Sequence, residues 1–271
     1  VCRLLGYVSR HPTAVLDVLG PDDFASFTSL TAVHGDGWGA AWHDADGRIR
    51  SINSTGTAIL DDDYAAMAAT RLGTSGLLHL RWATAGLPIC PENTHPFVDG
   101  DYAFAHNGNI SPIPHLDSLL TPESLARLTG DTDSERYFRL LLQCIAEAGD
   151  DTEGVTRGLA ILQREFPDFS LNALLLSPEA LFAVHINSRA ESPPRALRAL
   201  FEHEDSMPAR HATEYYAMDY RVTEDAVHVI SSGLDAAGWT PMPSDTAIRI
   251  DLGSRDITHL VPRIDHRAAA G

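Results

Sequence analysis

The alternation of apolar and polar positions divides the chain into strand-like runs, a helical middle and strand-like runs again. Cys2–Ser9 is short, apolar and β-compatible. Gly37–Trp42 and Arg48–Ile52 flank Asp44-Ala45-Asp46-Gly47, and an Asp-Gly turn between apolar runs predicts a hairpin. Asp61–Leu72 is alanine-rich behind an acidic cluster, which predicts a helix. Gly76–Thr84 and Asp101–His106 read as strands, and Pro112 and Pro114 open a helical region. The strongest helix spans about Asp133–Ala148: Tyr137, Leu140, Leu141, Cys144 and Ile145 recur at helical spacing, and Gly149 ends it. Thr152–Phe166 is a second helix. Leu171–Leu176, Ala180–Ile186, Tyr215–Arg221, Ala226–Ser231 and Ala247–Asp251 read as further strands. The Glu191–Pro194 stretch and the residues after Pro262 read as a loop and a tail.

Short turns between strands imply antiparallel pairing, and helices segregated from them imply a layered α+β architecture. No repeat, linker or break in composition interrupts the pattern, so residues 2–271 are expected to form a single domain. Composition agrees: 44% of the 271 residues are hydrophobic and 21% charged, enough to bury a core. A formal net charge of -17 argues against nucleic acid and anionic membrane as partners. All 20 basic residues are arginine, which excludes Schiff-base, P-loop and pyridoxal-phosphate lysines. The 3 cysteines are widely spaced with no C-x-x-C, so neither a disulfide framework nor a zinc site is expected, and a reducing cytoplasm is the natural compartment. No apolar run reaches the roughly 18 residues of a membrane span, and no signal sequence precedes the first strand.

Chemistry-bearing residues gather at strand ends and turns: Cys2-Arg3, His34–Gly39, Arg81–Thr84 with Asn93–Phe97, His106–Asn109 and Gly130–Glu135. A cysteine at a chain start can pair with a free α-amine, whose ordinary pKa of about 7.7–8.0 suits a general base. The side-chain amide of Asn107 and the N–H of Gly108 can point at one oxygen, as an oxyanion hole requires. Arg81 offers a planar fork for a carboxylate, and Asp133 an acceptor for an ammonium. Taken singly, each residue has a plainer account. Cys2 reads as a small buried hydrophobe, Asn107-Gly108 as a turn, and Arg81 as an ion-pair residue. Thr132 or Asp131 reads as the helix N-cap, with Glu135 closing a capping box onto Thr132. His79, His95 and His106 lack the spacing of a metal motif, and no metal or other cofactor is expected.

Taken together and in order, the near-terminal Cys2, HLRWAT followed by NTHPF, AHNGNI, and GDTDSE leading into a helix resemble the class II glutamine amidotransferases. These are N-terminal-nucleophile enzymes with a cysteine. LNALLLSPEALFAVH and VISSGLDAAGW resemble the closing strands of stand-alone members, so the likeness covers nearly the whole chain. The resemblance implies a four-layer αββα sandwich of two antiparallel sheets. It implies Cys2 as nucleophile, with its own α-amine as base, and Asn107 and Gly108 as the oxyanion hole. Arg81 and Thr84 would bind the substrate α-carboxylate and Asp133 its α-amine, with Trp82 in the loop that closes over glutamine.

Three departures bear on function. Ala85 follows RWAT where the family often has histidine, and His34–Gly39 replaces the Arg-Gly-x-Asp-Ser stretch of synthase-linked members. The tail after Pro262 is far shorter than the roughly 50 residues a synthase domain needs. The expected activity is therefore that of a stand-alone amidohydrolase cutting glutamine or a γ-glutamyl small molecule, a class similar to the γ-glutamyl hydrolase of the ergothioneine pathway. A glutaminase subunit feeding a separate synthase partner, and a silent binding module of the same fold, are the alternatives. Val1 is the discriminating residue. Joined to Cys2, it turns the proposed base into an amide.

Overall fold

Both faces of the first strand are buried, and that sets the architecture. The computed structural model describes residues 2–32, 34–83, 86, 88–191, 210, 214–235 and 237–260. In β1 (Arg3–Ala14), Leu4 and Val8 enter one apolar layer while Leu5 and Tyr7 enter another. A strand with two apolar faces belongs inside a sheet covered on both sides.

The chain continues through α1 (Val15–Leu19), α2 (Pro21–Ser29), the hairpin β2 (Trp38–His43) and β3 (Ile49–Ser54), α3 (Asp62–Ala69) and β4 (Arg71–Leu80). It then forms β5 (Phe97–Asp99), β6 (Tyr102–Asn107), α4 (Ile113–Asp117), α5 (Pro122–Ala126), α6 (Asp133–Ala148) and α7 (Asp151–Glu165). The closing elements are β7 (Asn172–Leu176), β8 (Ala180–His185), β9 (Met218–Val222), β10 (Ala226–Ser231), β11 (Thr240–Pro241), β12 (Thr246–Asp251) and β13 (Ile257–Leu260). One sheet of 7 strands runs β11-β9-β10-β1-β4-β2-β3, and a second of 6 runs β13-β12-β8-β7-β6-β5. Their pairings are antiparallel.

Alternation within the strands fills three apolar layers. Leu4, Val8, Leu77, Ala105, Leu174 and Val229 meet between the sheets. Phe27, Tyr64 and Met67 from the early helices cover the outer face of the first sheet at Leu5, Trp38 and Leu78. Leu141 and Leu159 from α6 and α7 cover the second sheet at Phe104 and Phe182. The result is an αββα sandwich of two antiparallel sheets. Each large side chain so buried contributes roughly 1.5–3 kcal/mol.

Some elements depart from expectation. β1 runs on to Ala14 through a break in register after Val8, where polar residues hide the strand pattern. β4 stops at Leu80, so Arg81–Ala83 have left the sheet. The proline-opened region forms only the single turns α4 and α5. α1, β5, β11 and β13 are too short to show a period, while the 9-residue α2 lies outside the expected elements. Thr132 is the N-cap of α6, accepting from Glu135 N–H at 3.1 Å. The expected capping box is not closed: the Glu135 carboxylate accepts instead from the N–H groups of Thr129 and Gly130, both at 2.8 Å. Val1, Thr84, Ala85, residues 192–194 and those after Pro262 lie outside the described residues.

Candidate active site

The same alternation brings two strand ends together. Cys2 shares the face of Leu4, so its thiol enters the space between the sheets. In β6, Phe104 and His106 face the helices while Ala105 and Asn107 face the first sheet. Cys2 N donates to Asn107 Oδ1 at 3.0 Å. That bond fixes the orientation of the amide and leaves Asn107 Nδ2 buried with no hydrogen-bond partner among the described residues.

Gly108 follows where the backbone passes very close to its neighbours. A Cβ there would overlap Ser170 O and His106 Nε2, so only glycine fits. The turn-former reading of Asn107-Gly108 is thereby replaced by one of close approach. His106 holds this segment in place: Nδ1 lies 2.9 Å from Ser134 Oγ on α6, and Nε2 lies 2.9 Å from Ser170 O. A carbonyl can only accept, so Nε2 carries the proton and Nδ1 accepts from the hydroxyl. Burial lowers the His106 pKa against the opposing pull of Asp133.

Arg81 is 3% exposed, and its guanidinium donates to Asp36 O at 3.1 Å and Pro88 O at 3.4 Å. Among the described residues it has no carboxylate partner. Asp36, in the stretch that departs from synthase-linked sequences, also accepts from Ala83 N–H through Oδ2 at 2.8 Å. That stretch therefore supports the arginine. Trp82 O lies 3.8 Å from Cys2 Sγ, and the indole meets His34 edge-on at 5.9 Å. Asp133 accepts from Ile110 N–H through Oδ2 at 2.6 Å, while Oδ1 enters none of the described hydrogen bonds.

Cys2, Arg81, Trp82, Gly108 and Asp133 line one small cavity of about 20 Å³, with Asn107 directly behind it. Such a volume holds about one water. Burial pushes the Cys2 thiol up, but the charges of His79 and of the amino terminus outweigh it and bring the pKa down to about 6. Cys2, Arg81, Trp82, Asn107, Gly108 and Asp133 thus converge, while Thr84 lies outside the described residues.

Supporting contacts join these stretches. Asn93 accepts from Asp131 N–H at 2.9 Å and donates to Pro88 O at 3.3 Å, tying the Arg81 loop to the start of α6. Ser170 donates to Asn107 O at 2.9 Å. Among the described residues no group of three or more His, Cys, Asp or Glu side chains is placed to hold a metal ion. No described helix is long and apolar enough to cross a membrane.

Comparison with known proteins places these features in context. The family described as "Glutamine amidotransferases class-II" matches residues 1–250. Glutamine--fructose-6-phosphate aminotransferase [isomerizing] of Mycobacterium tuberculosis is 33% identical over 178 residues, covering 63% of this chain and 27% of that protein. The chain thus spans about a quarter of the length of the first curated relatives it matches. Gamma-glutamyl-hercynylcysteine sulfoxide hydrolase of Mycolicibacterium smegmatis is 29% identical over 191 residues, covering 68% of this chain and 78% of that protein. Among solved structures, a glutamine aminotransferase class-II domain protein from Silicibacter pomeroyi superposes with a TM-score of 0.64 at 20% identity, covering 96% of this chain and 100% of that one. Glutamine phosphoribosylpyrophosphate amidotransferase from B. subtilis superposes at 0.62 and 16% identity, covering 97% of this chain and 50% of that one.

Proposed function

The chain belongs to the class II glutamine amidotransferases, a family of enzymes, and on that premise we propose that it hydrolyses the γ-amide of glutamine or of a γ-glutamyl small molecule through a thioester on Cys2. The observation that carries this reading is the 3.0 Å bond from Cys2 N to Asn107 Oδ1, beside an Asn107 Nδ2 with no partner among the described residues. It sets a nucleophile, the nucleophile's own nitrogen and an oxyanion donor side by side.

In this mechanism Cys2 Sγ attacks the γ-carbonyl carbon. Asn107 Nδ2 and Gly108 N–H receive the charge that develops on the oxygen. The free α-amine takes the thiol proton and delivers it to the departing nitrogen. Ammonia or an amine leaves, and water then attacks the thioester to release glutamate and restore the thiol. Arg81, already held by two carbonyls, grips the substrate α-carboxylate, and Asp133 Oδ1 accepts from the α-ammonium. Trp82 roofs the cavity, and the carboxylate role of Thr84 completes the proposal.

An amide nitrogen cannot serve as this base, so removal of Val1 belongs to the mechanism. Hydrolysis is supported by the relative matched over most of its own length, which bears a hydrolase's name. The second reading, supply of ammonia to a separate synthase, is supported by the aminotransferase relatives. The test is glutamate release by the purified protein from free glutamine and a panel of γ-glutamyl compounds, with the N-terminus defined by intact mass. Release is expected from at least one compound when Cys2 is the first residue, and Cys2→Ala should abolish it. Unchanged turnover in Cys2→Ala would overturn the mechanism, whereas release only after a partner is added selects the second reading.

A further inference from the structure

The mechanism above makes no use of His79, although the fold places it beside the thiol. In the pairing of β1 with β4, Leu4 opposes His79 and Arg3 opposes Leu80. Cys2, two residues before Leu4, is therefore the diagonal neighbour of His79 on the same face, within reach of a long side chain. His79 is 0% exposed. The His95 ring covers it, with centroids 4.2 Å apart, and Phe97 meets His95 edge-on at 4.7 Å. Gly39 of β2 makes room for the stack, because a Cβ opposite His79 would overlap His95 O.

Among the described residues none of the four ring nitrogens of His79 and His95 makes a hydrogen bond of ordinary geometry, and the Cys2 thiol is the group that reaches His79. Buried polar groups are normally paired, so two unpaired imidazoles against a cysteine call for an explanation. The titratable and charged groups around them among the described residues are Cys2 just before β1, Arg81 just after β4, and His106 from β6 with Asp133 behind it, and the charge of the amino terminus also acts on them. Arg81 is a cation. His106 is tied neutral by Ser134 and Ser170, and Asp133 is 3.9 Å from His106 and bonded to Ile110 N–H. Among these groups, the thiol is the one adjacent to His79 that can become an anion.

We propose that His79, as an imidazolium, is the counter-cation that holds Cys2 as a thiolate. It is a positioning residue acting through the sulfur, separate from the α-nitrogen, and the proposal rests on the reading of Cys2 as nucleophile. The protons balance with the mechanism above. The S–H bond breaks with its electron pair left on sulfur, and its proton passes to the α-amine, which carries it to the departing nitrogen. His79 takes its own proton from solvent and keeps it throughout. His95 supplies a neutral cover: burial first, then the charge of His79, keeps its pKa well below the ordinary histidine range. The thiol's lowered pKa agrees with the pairing, His79 being the largest of the influences that lower it.

The test is the rate at which iodoacetamide alkylates Cys2 from about pH 4.5 to 9, with the site confirmed by peptide mass mapping because Cys90 and Cys144 also carry thiols. Wild-type reactivity should rise through a midpoint near pH 6. His79→Phe and His79→Gln should each move that midpoint up by about one unit or more. An unmoved midpoint in both variants overturns the proposal. So does a shift in the phenylalanine variant alone, since glutamine keeps the polarity and loses only the charge. If His79→Phe fails to fold, His79→Gln carries the test. The assay needs no turnover, so failures separate cleanly. A wild-type midpoint near 6 that shifts in the variants, with no glutamate release, leaves this proposal standing and sinks the proposed function. Normal release with unmoved midpoints does the reverse. A chain that retains Val1 should keep the low midpoint while releasing no glutamate.

Discussion

Two histidines flank the thiol region, and the fold treats them in opposite ways. His106, on the α6 side, has both ring nitrogens bonded, to Ser134 Oγ and Ser170 O at 2.9 Å each. His79, on the β4 side, has neither nitrogen in a hydrogen bond of ordinary geometry among the described residues, and a second such imidazole, tilted by 35°, lies over it at 4.2 Å. Both are fully buried, so exposure does not separate them. Partners do. A ring with both nitrogens committed has no capacity left for chemistry and acts as a strut for Asn107 and Gly108. A ring with none committed gains little for stability and is available to a neighbouring charge. Substitutions on the α6 side should therefore register in stability, and those on the β4 side in the ionisation of Cys2.

The largest effect should fall between the two sides, at Asn107. Its Oδ1 is engaged by Cys2 N and its Nδ2 is unengaged. Asn107→Ala removes the donor and should lower kcat for glutamate release by about 10²–10³. Cys2 alkylation should keep its wild-type midpoint, because His79 is untouched. A loss in kcat below about tenfold would show that Nδ2 is not an oxyanion donor. A moved alkylation midpoint would show that the two sides of the site are not separable.

His106 should come next. His106→Leu strands Ser170 O and Ser134 Oγ, and each unpaired buried group costs about 1–3 kcal/mol. At about 2–4 °C per kcal/mol, the melting temperature should fall by several degrees at pH 7.5. Acid should narrow the difference. Burial lowers the His106 pKa, so below the ordinary value of 6.5 the unfolded chain takes up a proton that the native fold refuses. Wild-type stability therefore falls as pH drops through that window, and the leucine variant lacks this contribution. Melting curves between about pH 5 and 7.5 measure both effects. A midpoint of Cys2 alkylation that moved with His106→Leu would break the contrast with His79.

The sequence made some of this legible and hid the rest for physical reasons. α6 was readable end to end, because its apolar stripe repeats through four turns and Gly149 adopts the left-handed conformation, φ 70°, that ends it. The β2–β3 hairpin was readable from its Asp-Gly turn. α1 was not, since 5 residues hold too little of a helical period. At the site, Cys2, Arg81, Asn107, Gly108 and Asp133 stood out because motif order links them. His79 lies inside one of those motifs, yet its adjacency to Cys2 comes from pairing between β1 and β4, which a linear reading cannot see. Asn93 belongs to the NTHPF stretch but acts through a contact 38 positions away, and Ser170, which nothing local marks, through one 63 positions away. Asp36 lies in the stretch that replaces Arg-Gly-x-Asp-Ser. The structure shows it bonded to both Arg81 and Ala83.

The smallest expected effect tests how far the α6 side is purely structural. Thr132 caps α6 immediately before Asp133, the proposed ammonium acceptor, through a 3.1 Å bond from Glu135 N–H. Its partner Glu135 does not return the bond but secures Thr129 and Gly130 instead, with both N–H groups at 2.8 Å. The approach to the helix is thus pinned twice, once by the cap and once by Glu135. Asp133 has a third anchor of its own in Ile110 N–H. Thr132→Ala should therefore cost about 1 kcal/mol of stability, the ordinary value of a lost cap, while KM for the γ-glutamyl substrate stays within about twofold, a shift of under half a kcal/mol. A rise in KM of tenfold or more, with the melting temperature hardly changed, would mean that the cap positions Asp133 for binding rather than merely ending the helix. The α6 side would then share the functional burden that the hydrogen bonds assign to β4.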